Sequence, residues 1–531
     1  MSDVDLQRRM ALRRIGSVVA LSTLAGGGVW FGGYRPGSLA AAEPTSTAVA
    51  GPFDVDLRLL AHPDEVSILP GAPSKVWRYT AERIAGPTET LTPVGESYAG
   101  PLIRLRRGQR LLVRIDNELP EDTTVHWHGL HVPSDVDGQP RLPIAPATSM
   151  TLAFDVVDRA GLYWYHPHPH GPDGGRVGLQ SYAGLAGPLI INDDAERALG
   201  LPDGERELVL ILQDRTFSDG NELQYIGGGG MGAMMTRMRG FRGERVLVNG
   251  HPDARREVST RPYRLRLLNG SNSRIYKLAW SDGRAVIVIG TDGGLLAEPE
   301  RRRSVTLAPA QRIDLWVDFG DTEPGESVQF VSEEYQLGMM GGGGMMEQGM
   351  MGDMMDRGMM RDMMGSERIP LVTFAVVARA NDSETLPERL AQDLPTSPVQ
   401  ADTPVRRFEL GMRMMQGFTI NGRRMEGTTV ADDEIVRLGQ TEIWEFVNDS
   451  MMPHPIHIHG LQFQIQERTG SKTDLHDGII DAGLHDTVLV FPQERVRIAL
   501  TFKNFEGLYM YHCHNMEHED AGMMRYFKVV A

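Results

Sequence analysis

Short apolar runs separated by turn-forming residues dominate the chain after residue 50. Examples are LLVRI at 111–115, LVLIL at 208–212 and AVIVI at 285–289, and the segments around them contain Gly, Pro, Asn or Asp. Aliphatic runs of this length, rich in Val and Ile, are typical of buried strands. Helical periodicity is scarce in the same region. The pattern therefore predicts an all-β chain of β-sandwiches rather than a helix bundle.

The length of the chain predicts how it is divided. At roughly 150 residues for each domain, 531 residues correspond to about three domains. We expect the first domain at 51–200, the second at 201–378 and the third at 404–531. The segment 379–403 is rich in Pro, Ser, Asp and Gln, which is typical of a linker.

The first 50 residues differ from the rest and predict an export signal. RRMALRR at 8–14 precedes an apolar stretch at 15–31, and Arg8-Arg9 is similar to a twin-arginine signal. Glycines interrupt this stretch, which is shorter than the roughly 20 residues of a membrane-spanning helix, so we expect no stable membrane insertion of the mature chain. We expect a periplasmic or secreted protein. The net charge of −16 argues against nucleic acid as a partner.

Ten of the 16 histidines and the only cysteine fall into four short motifs. The motifs are HWHG at 126–129, HPH at 166–168, HPIHIHG at 454–460 and HCHNMEH at 512–518. A lone histidine or a single pair is usually structural. Four such motifs, one of them around the solitary cysteine, predict a metal centre. Between His170 and His454 only His251 occurs, so we expect the middle domain to provide no ligands.

The ligand types favour copper over zinc. Structural zinc sites need several thiolates or one compact set of four ligands, whereas one thiolate with two imidazoles and a weak thioether is the blue-copper arrangement. Cys513 provides the thiolate and His518 one imidazole, with a distant histidine as the second. Met523, five residues after His518, provides the thioether. Packing in the core is the competing interpretation of Met523.

Strand geometry sorts the histidines into two groups. Successive side chains of a strand face opposite sides, so His512 and His514 share one face while Cys513 points to the other. His454 differs in parity from His457 and His459, which allows it to join Cys513. Eight histidines then remain for a second site on the opposite side. Cys513, a ligand of the first site, is thus bonded directly to two histidines of the second.

These motifs resemble those of the multicopper oxidases, the family of laccases, bilirubin oxidases and bacterial cuprous oxidases. The resemblance extends from about residue 53 to the end of the chain and implies three cupredoxin-like Greek-key β-sandwich domains. It implies four copper ions: one type 1, one type 2 and two type 3. It also implies one-electron oxidation of a donor at type 1, transfer through Cys513, and reduction of dioxygen to water at the trinuclear cluster.

Carried over position by position, the resemblance assigns every copper ligand. Type 1 copper takes His454, Cys513, His518 and Met523. Type 2 copper takes His126 and His457. The type 3 pair takes His128, His166, His168, His459, His512 and His514.

Two acidic residues match carboxylates that the family uses to deliver protons to reduced oxygen. They are Asp137 in HGLHVPSDVDG and Glu519, directly after His518. An ordinary solvated acid, or a hydrogen bond to a ligand histidine, is the alternative. Near His454 the chain departs from the cuprous-oxidase pattern, because Ser450 separates Asp449 from the Met-Met pair. This departure argues against a direct contact between Asp449 and His454.

The methionines suggest the electron donor. Twelve of 29 lie in the glycine-rich segment 338–365, and a second Gly-Met stretch runs over 227–238. Thioethers select Cu(I), although a flexible apolar surface is an alternative. The segments resemble methionine-rich inserts of bacterial cuprous oxidases that serve copper tolerance, so we expect extra Cu(I) to bind there. We also expect electrons to enter at a water-exposed edge of His454 or His518.

The sequence therefore predicts a monomeric oxidase of Cu(I), with Fe(II) and phenols as further donors and dioxygen as acceptor. A laccase or bilirubin-type oxidase of organic donors is the alternative enzyme. A copper-sequestering protein is the non-enzymatic alternative, and the complete ligand set argues against it. A two-domain nitrite reductase is disfavoured by the length of the chain and by the position of the motifs near its two ends.

Overall fold

Three β-sandwiches follow one another along the chain. The computed structural model describes residues 51–531 except 96, 172–173, 227–229, 338–364, 382–383, 393, 414–416 and 471–472. The predicted all-β class is confirmed, and the three apolar runs chosen from the sequence lie in or overlap strands. The predicted export signal and nearly all of the methionine-rich segment lie outside the described residues.

The first sandwich has two main sheets. Its strands are β1 (Val55–Val66), β2 (Ser74–Ala85), β3 (Leu91–Thr92), β4 (Leu102–Arg106), β5 (Arg110–Asn117), β6 (His126–His128), β7 (Thr148–Asp155), β8 (Gly161–His166), β9 (His170–Gly171), β10 (Gly174–Gly175) and β11 (Gly187–Asn192). The sheet orders are β2-β1-β5-β7 and β3-β4-β11-β8-β6, and β9 pairs with β10. Buried positions alternate along β1, as expected for a strand with one face on the core.

The second sandwich has the same construction. Its strands are β12 (Glu207–Arg215), β13 (Arg245–Val248), β14 (Ala254–Ser259), β15 (Pro262–Asn269), β16 (Tyr276–Trp280), β17 (Val286–Thr291), β18 (Gly294–Arg302), β19 (Val305–Leu307), β20 (Arg312–Asp318), β21 (Ser327–Ser332), β22 (Tyr335–Gln336), β23 (Gly365–Ser366) and β24 (Ile369–Ala378). The sheet orders are β13-β12-β15-β20-β17-β18 and β14-β24-β21-β16-β19. The short strands β22 and β23 pair with each other, so that Gln336 lies opposite Gly365.

The third sandwich ends the chain. Its strands are β25 (Val405–Arg413), β26 (Gly417–Ile420), β27 (Ile435–Arg437), β28 (Thr441–Asn448), β29 (His454–Ile458), β30 (Phe463–Thr469), β31 (Thr487–Val490), β32 (Arg495–Thr501), β33 (Gly507–Cys513) and β34 (Met524–Val530). The sheet orders are β26-β25-β28-β32-β30 and β27-β34-β33-β29-β31. Between β24 and β25 the described residues contain no strand or helix.

All three sandwiches repeat one topology. In the first sheet of each, β1 is parallel to β5, β12 to β15 and β25 to β28. In the second sheet of each, β4 is parallel to β11, β14 to β24 and β27 to β34. Parallel neighbours require crossover connections, which two packed sheets provide in Greek-key sandwiches. By position in the sheet, β6, β16 and β29 are equivalent strands, and so are β8, β21 and β33.

In the part of the chain that the structure describes, four short α-helices lie between the strands. They are α1 (Val177–Ala183), α2 (Asp194–Arg197), α3 (Met231–Arg239) and α4 (Met516–Asp520). None of the described helices combines the length and the apolar character that crossing a membrane requires.

A buried ion network joins the first sandwich to the second. Arg266 Nε donates to Glu207 at 2.6 Å and its Nη2 to Glu196 at 2.9 Å, while Arg264 Nη2 donates to Asp314 at 2.5 Å. Burial opposes ionisation here, but the guanidinium groups prevail and lower the pKa of Glu196 to about 2. Removing one partner from such a buried network costs about 3–5 kcal/mol. Loss of any one member of the network is therefore expected to destabilise the contact between the two sandwiches.

Candidate metal centre

Three of the predicted ligand atoms converge where β29 begins and β33 ends. His454 Nδ1 lies 3.4 Å and His518 Nδ1 lies 3.6 Å from Cys513 Sγ, and the two nitrogens are 3.3 Å apart. All three side chains are fully buried, and burial raises the pKa of the Cys513 thiol above its usual range. A thiolate in these surroundings needs a cation next to it, and a coordinated metal removes the thiol proton. We call these residues and Met523 the thiolate site.

The outer nitrogens of both histidines are bound by protein oxygens. His454 Nε2 donates to Ser450 Oγ at 2.7 Å, and His518 Nε2 donates to the main-chain oxygen of Met238 at 2.8 Å. Both rings have no exposed surface. The prediction that one histidine edge is open to water is therefore wrong. The hydroxyl of Ser450 and the last turn of α3 cover the two edges.

Met523 lies in the same apolar surroundings. It is fully buried in the hydrophobic cluster that includes Cys513, and its main-chain oxygen accepts a hydrogen bond from the Cys513 amide at 3.0 Å. The ring of Phe418 lies 4.1 Å from the His518 ring and 5.0 Å from the His454 ring, measured between centroids. The thiolate site is therefore enclosed by apolar side chains that exclude water.

Eight further histidines from the first and third sandwiches form a second group, which we call the histidine cluster. Each is at most 1% exposed, so bulk solvent does not reach these side chains. Strand pairing sets their positions, because His126 lies opposite His166 in β6 and β8, and His457 lies opposite His512 in β29 and β33. The members are His126, His128, His166, His168, His457, His459, His512 and His514.

Imidazole nitrogens face one another across the histidine cluster. The facing pairs are His126 Nε2 with His457 Nε2 at 3.4 Å, His128 Nδ1 with His166 Nε2 at 3.3 Å, His168 Nε2 with His512 Nε2 at 3.3 Å, and His459 Nε2 with His512 Nε2 at 3.1 Å. Among the described residues, neither ring nitrogen of His514 has a hydrogen-bond partner. Burial lowers the pKa of His512 and His514, so both rings are neutral and present lone pairs. A buried, convergent set of imidazole lone pairs is suited to binding copper or another transition metal.

A turn of the first sandwich orients the first histidine of β6. His126 Nδ1 donates to the main-chain oxygen of Asp137 at 2.7 Å, which leaves Nε2 facing the cluster. Gly138 permits this approach, because its φ is +77° and a Cβ atom there would lie 1.9 Å from the Val125 oxygen. The glycine of the VDG sequence is therefore needed for the close contact between the turn and β6.

Both predicted acidic residues lie at the histidine cluster. The Asp137 carboxylate is 2.8 Å from His459 Nδ1 and also accepts a hydrogen bond from Gln139 at 3.0 Å. The Glu519 carboxylate lies 3.2 Å from His168 Nε2 and 3.3 Å from His512 Nδ1. Neither Glu519 oxygen makes a hydrogen bond of good geometry within the described residues. Burial raises the pKa of Glu519 above its usual range.

A third carboxylate, Asp486, was missed by the sequence analysis. Its Oδ1 accepts a hydrogen bond from His128 Nε2 at 3.0 Å, and its main-chain oxygen accepts one from His457 Nδ1 at 2.8 Å. Burial opposes its ionisation, but the guanidinium of Arg312 holds the pKa of Asp486 well below its usual range. Asp486 follows a histidine that is not in any motif, and no spacing in the sequence indicates its contact with residues 128 and 457.

Two regions of the chain match models of the multicopper oxidase family, residues 75–196 and residues 398–531. A multicopper oxidase of Staphylococcus haemolyticus is 31% identical over 81% of this chain and 82% of its own length. This chain belongs to the multicopper oxidase family. A laccase of Bacillus subtilis is 29% identical over 81% of this chain and 88% of its own length. The crystal structure of the McoA multicopper oxidase of Aquifex aeolicus is 33% identical, has a TM-score of 0.73, and covers 90% of this chain and 97% of that chain.

As a multicopper oxidase, this protein is an oxidoreductase with three cupredoxin-like domains, and it uses dioxygen and a reducing substrate. Family membership implies copper, and the chain's own donors fit it. The thiolate site joins one sulfur to two imidazoles, and the histidine cluster contains unpaired buried nitrogens of His168 and His514. The ten predicted histidines and Cys513 all belong to one of these two groups, and Met523 lies in the same hydrophobic cluster as Cys513.

Proposed function

We propose that this multicopper oxidase contains four copper ions and oxidises Cu(I) with dioxygen as the acceptor. The thiolate site would hold type 1 copper through His454, Cys513, His518 and Met523. In the histidine cluster, type 2 copper would take His126 and His457. The type 3 pair would take His128, His166, His168, His459, His512 and His514.

One observation carries the four-copper proposal. Two strand pairs from different sandwiches, β6 with β8 and β29 with β33, present facing nitrogens within 3.4 Å, while Cys513 belongs to a separate group with His454 and His518. A storage protein has no need of such a complete buried set of histidines next to a thiolate, because sequestering copper does not require dioxygen chemistry. When bound, copper supplies one-electron oxidation of the donor at the thiolate site and four-electron reduction of dioxygen at the cluster.

The chain itself links the two sites. Cys513 is bonded through the main chain to His512 and His514, and both of these histidines belong to the cluster. The path between sites therefore consists of covalent bonds within one strand end. Because β33 is paired with β29 on one side and β34 on the other, this end is fixed on both sides.

We assign proton delivery to Glu519 and Asp137. Reduction of dioxygen to water consumes protons. The Glu519 carboxylate lies beside His168 and His512, and neither of its oxygens makes a hydrogen bond of good geometry within the described residues. An acid held this way keeps a proton available for transfer to a reacting oxygen nearby. Asp137 differs, because its carboxylate is already bound to His459 and Gln139. Its role therefore combines orientation of His459 with proton transfer.

Methionines support Cu(I) as the donor. Met451 lies three residues before His454 and is 59% exposed, and Met234 on α3 is 57% exposed. The end of the same helix covers His518 through the Met238 oxygen. Exposed thioethers on these two segments, which contact or adjoin the thiolate site, are suited to a soft monovalent ion. Fe(II) and phenols are proposed as secondary donors, and further Cu(I) is proposed to bind the segment 338–365.

Oxidation of organic donors is the second candidate, and the laccase of Bacillus subtilis among the relatives favours it. A bulky phenol would have to reach His454 or His518, whose edges are covered. We also propose export by the twin-arginine route to the periplasm or the medium, and a monomeric state.

Steady-state kinetics with Cu(I) and with a phenol, before and after replacing 338–364 by a short turn, test the donor. The replacement is feasible because Gln336 already lies opposite Gly365. We expect a lower kcat/KM for Cu(I) and an unchanged or higher one for the phenol. Met234→Leu and Met451→Leu should act in the same direction, whereas Met150→Leu in the first sandwich is the matched control. Unchanged Cu(I) kinetics would favour the laccase alternative.

A further inference from the structure

Arg312 is fully buried at the point where the three sandwiches meet. It begins β20 of the second sandwich, which provides none of the predicted copper ligands. Its Nε donates to the main-chain oxygen of Leu162 in β8 of the first sandwich at 3.1 Å, and its Nη1 donates to Asp486 of the third sandwich at 2.8 Å. One side chain thus contacts both sandwiches that form the histidine cluster.

Every N–H of this guanidinium has an acceptor. Besides those two contacts, Nη1 donates to the Ala310 oxygen at 3.0 Å, and Nη2 donates to the Asp292 oxygen at 3.2 Å and to Asp486 Oδ2. Five donors with five acceptors fix the planar group in a single orientation. The two-pronged contact with Asp486 also fixes the plane of that carboxylate.

Asp486 transmits this orientation to two histidines. It accepts a hydrogen bond from His128 Nε2 at 3.0 Å, so the lone pair of His128 Nδ1 faces the cluster. Its main-chain oxygen accepts from His457 Nδ1 at 2.8 Å, so the lone pair of His457 Nε2 faces the cluster. Thr487 Oγ1 donates to Asp486 Oδ1, the carboxylate oxygen that also accepts from His128, at 2.9 Å. The direction of two predicted ligand atoms therefore depends on where Asp486 lies.

The surroundings are built to accommodate this pair. Asp292 Oδ1 accepts a hydrogen bond from the Arg312 amide at 2.7 Å, which fixes the start of β20. Gly129, the glycine of HWHG, has a φ of +90°, and a Cβ atom there would lie 2.6 Å from Asp486 Oδ2 and 2.8 Å from Arg312 Nη2. The first sandwich therefore leaves room beside its own ligand strand for a guanidinium and a carboxylate from the other two.

We propose that Arg312 is a positioning residue of the histidine cluster: from the ligand-free middle sandwich it holds Asp486, and through Asp486 it sets the orientation of His128 and His457. The inference rests on the proposed copper assignment, because it treats these two histidines as ligands. The competing explanation is a purely structural tie between sandwiches. Such a tie affects the free energy of unfolding and leaves the copper spectra unchanged.

Arg312→Lys in the copper-loaded enzyme separates these explanations. Lysine keeps the charge and loses the planar fork. We expect type 2 copper to bind about 10- to 100-fold more weakly, the range for loss of groups that orient metal ligands, with altered type 2 electron paramagnetic resonance parameters. The type 1 blue absorption should be retained, because Arg312 does not contact the thiolate site. Arg266→Lys, equally buried in the ion network described above, is the matched control and should lower only the melting temperature.

A second variant tests the proposal if Arg312→Lys does not fold. Arg312→Gln combined with Asp486→Asn removes both partners of the closest ion pair at once, so neither is left buried alone. Asp292, 3.5 Å from Arg312 Nη1, keeps its hydrogen bonds from the main-chain amides of residues 312, 486 and 487. We expect the same change in type 2 copper through His457, together with a change at the type 3 pair through His128, while the type 1 blue absorption is retained. If either soluble variant showed the parental type 2 spectrum and copper affinity, the positioning role would be rejected. A parent enzyme without type 2 or type 3 copper would instead overturn the proposed function, so the two failures are distinguishable.

Discussion

At one pair of equivalent strands, the first and third sandwiches carry histidines and the middle sandwich does not. In β6 and β8, His126 lies opposite His166, and in β29 and β33, His457 lies opposite His512. In the middle sandwich, β16 and β21 occupy the same positions in the sheet, and there Leu278 lies opposite Ser332. Beside them, Trp280 and Phe330 pack their rings 4.7 Å apart.

The difference shows that the topology alone does not make a metal centre. The same strands serve as core when they present Trp and Phe, and as a candidate metal centre when they present alternating histidines. What the middle sandwich adds is Arg312, which begins its strand β20 and contacts Asp486 beside the histidine cluster. Two sandwiches therefore provide the ligand atoms, and the third contributes a charged group that acts through a neighbouring carboxylate.

The largest expected effect is that of Cys513→Ser. Serine is too hard and too basic to replace a soft thiolate at copper, so we expect loss of the intense blue absorption and of oxidase activity in a soluble protein. The histidine cluster should still bind its copper, since its ligands do not include residue 513. Absorption and metal analysis check this. Retained blue colour with turnover would contradict the assignment of the thiolate site.

Glu519→Gln should slow the reoxidation of the reduced enzyme by dioxygen by about 10²- to 10⁴-fold, the usual contribution of a positioned acid. Reduction of the thiolate site by the donor should not change, because only the dioxygen reaction consumes protons. Anaerobic reduction followed by rapid mixing with oxygen separates the two steps. Asp137→Asn should act in the same direction.

The control for this experiment is Glu517→Gln on the same helix. The Glu517 carboxylate accepts hydrogen bonds from Tyr225, Asn272 and the Phe241 amide rather than facing the histidine cluster. Its replacement should leave reoxidation close to the parental rate. Equal reoxidation in the Glu519 variant and the parent would remove Glu519 from proton delivery.

Adding copper to the copper-free protein should stabilise the first and third sandwiches, which contain the predicted ligands, more than the middle one. Copper binds the folded state, so free copper at a hundred times its dissociation constant should stabilise folding by about 2.7 kcal/mol. Amide hydrogen exchange should slow on copper binding in β6, β8, β29 and β33 and change little in β16 and β21. Equal protection of all three sandwiches would mean that the metal acts on the fold as a whole, which would weaken the comparison.

Ser450→Ala is expected to have the smallest effect. It removes the hydrogen bond to His454 Nε2, whose net contribution is about 1 kcal/mol. We expect a modest change in the type 1 spectrum and less than a tenfold change in kcat/KM for Cu(I). Ser332→Ala in the middle sandwich is the control and should change neither. A Ser450 variant with a parental spectrum would show that this hydroxyl does not influence the thiolate site.

Local patterns in the sequence predicted the all-β class and the residues of both groups, because strand alternation places neighbouring histidines on one face. They did not indicate Asp486, Arg312 or Ser450. These residues reach the centre through packing between sandwiches or through a turn, and neither leaves a periodic signal. The expected exposed histidine edge was wrong for the same reason, since the Met238 oxygen that covers His518 belongs to a distant helix.

Anomalous X-ray diffraction at the copper edge, on crystals of the copper-loaded enzyme, tests the central claim most directly. The account predicts four peaks for each chain: one beside Cys513, with His454 and His518, and three among the eight histidines between the first and third sandwiches. It predicts no peak between β16 and β21. A single peak, or a histidine cluster without copper in an enzyme that still reduces dioxygen, would contradict it.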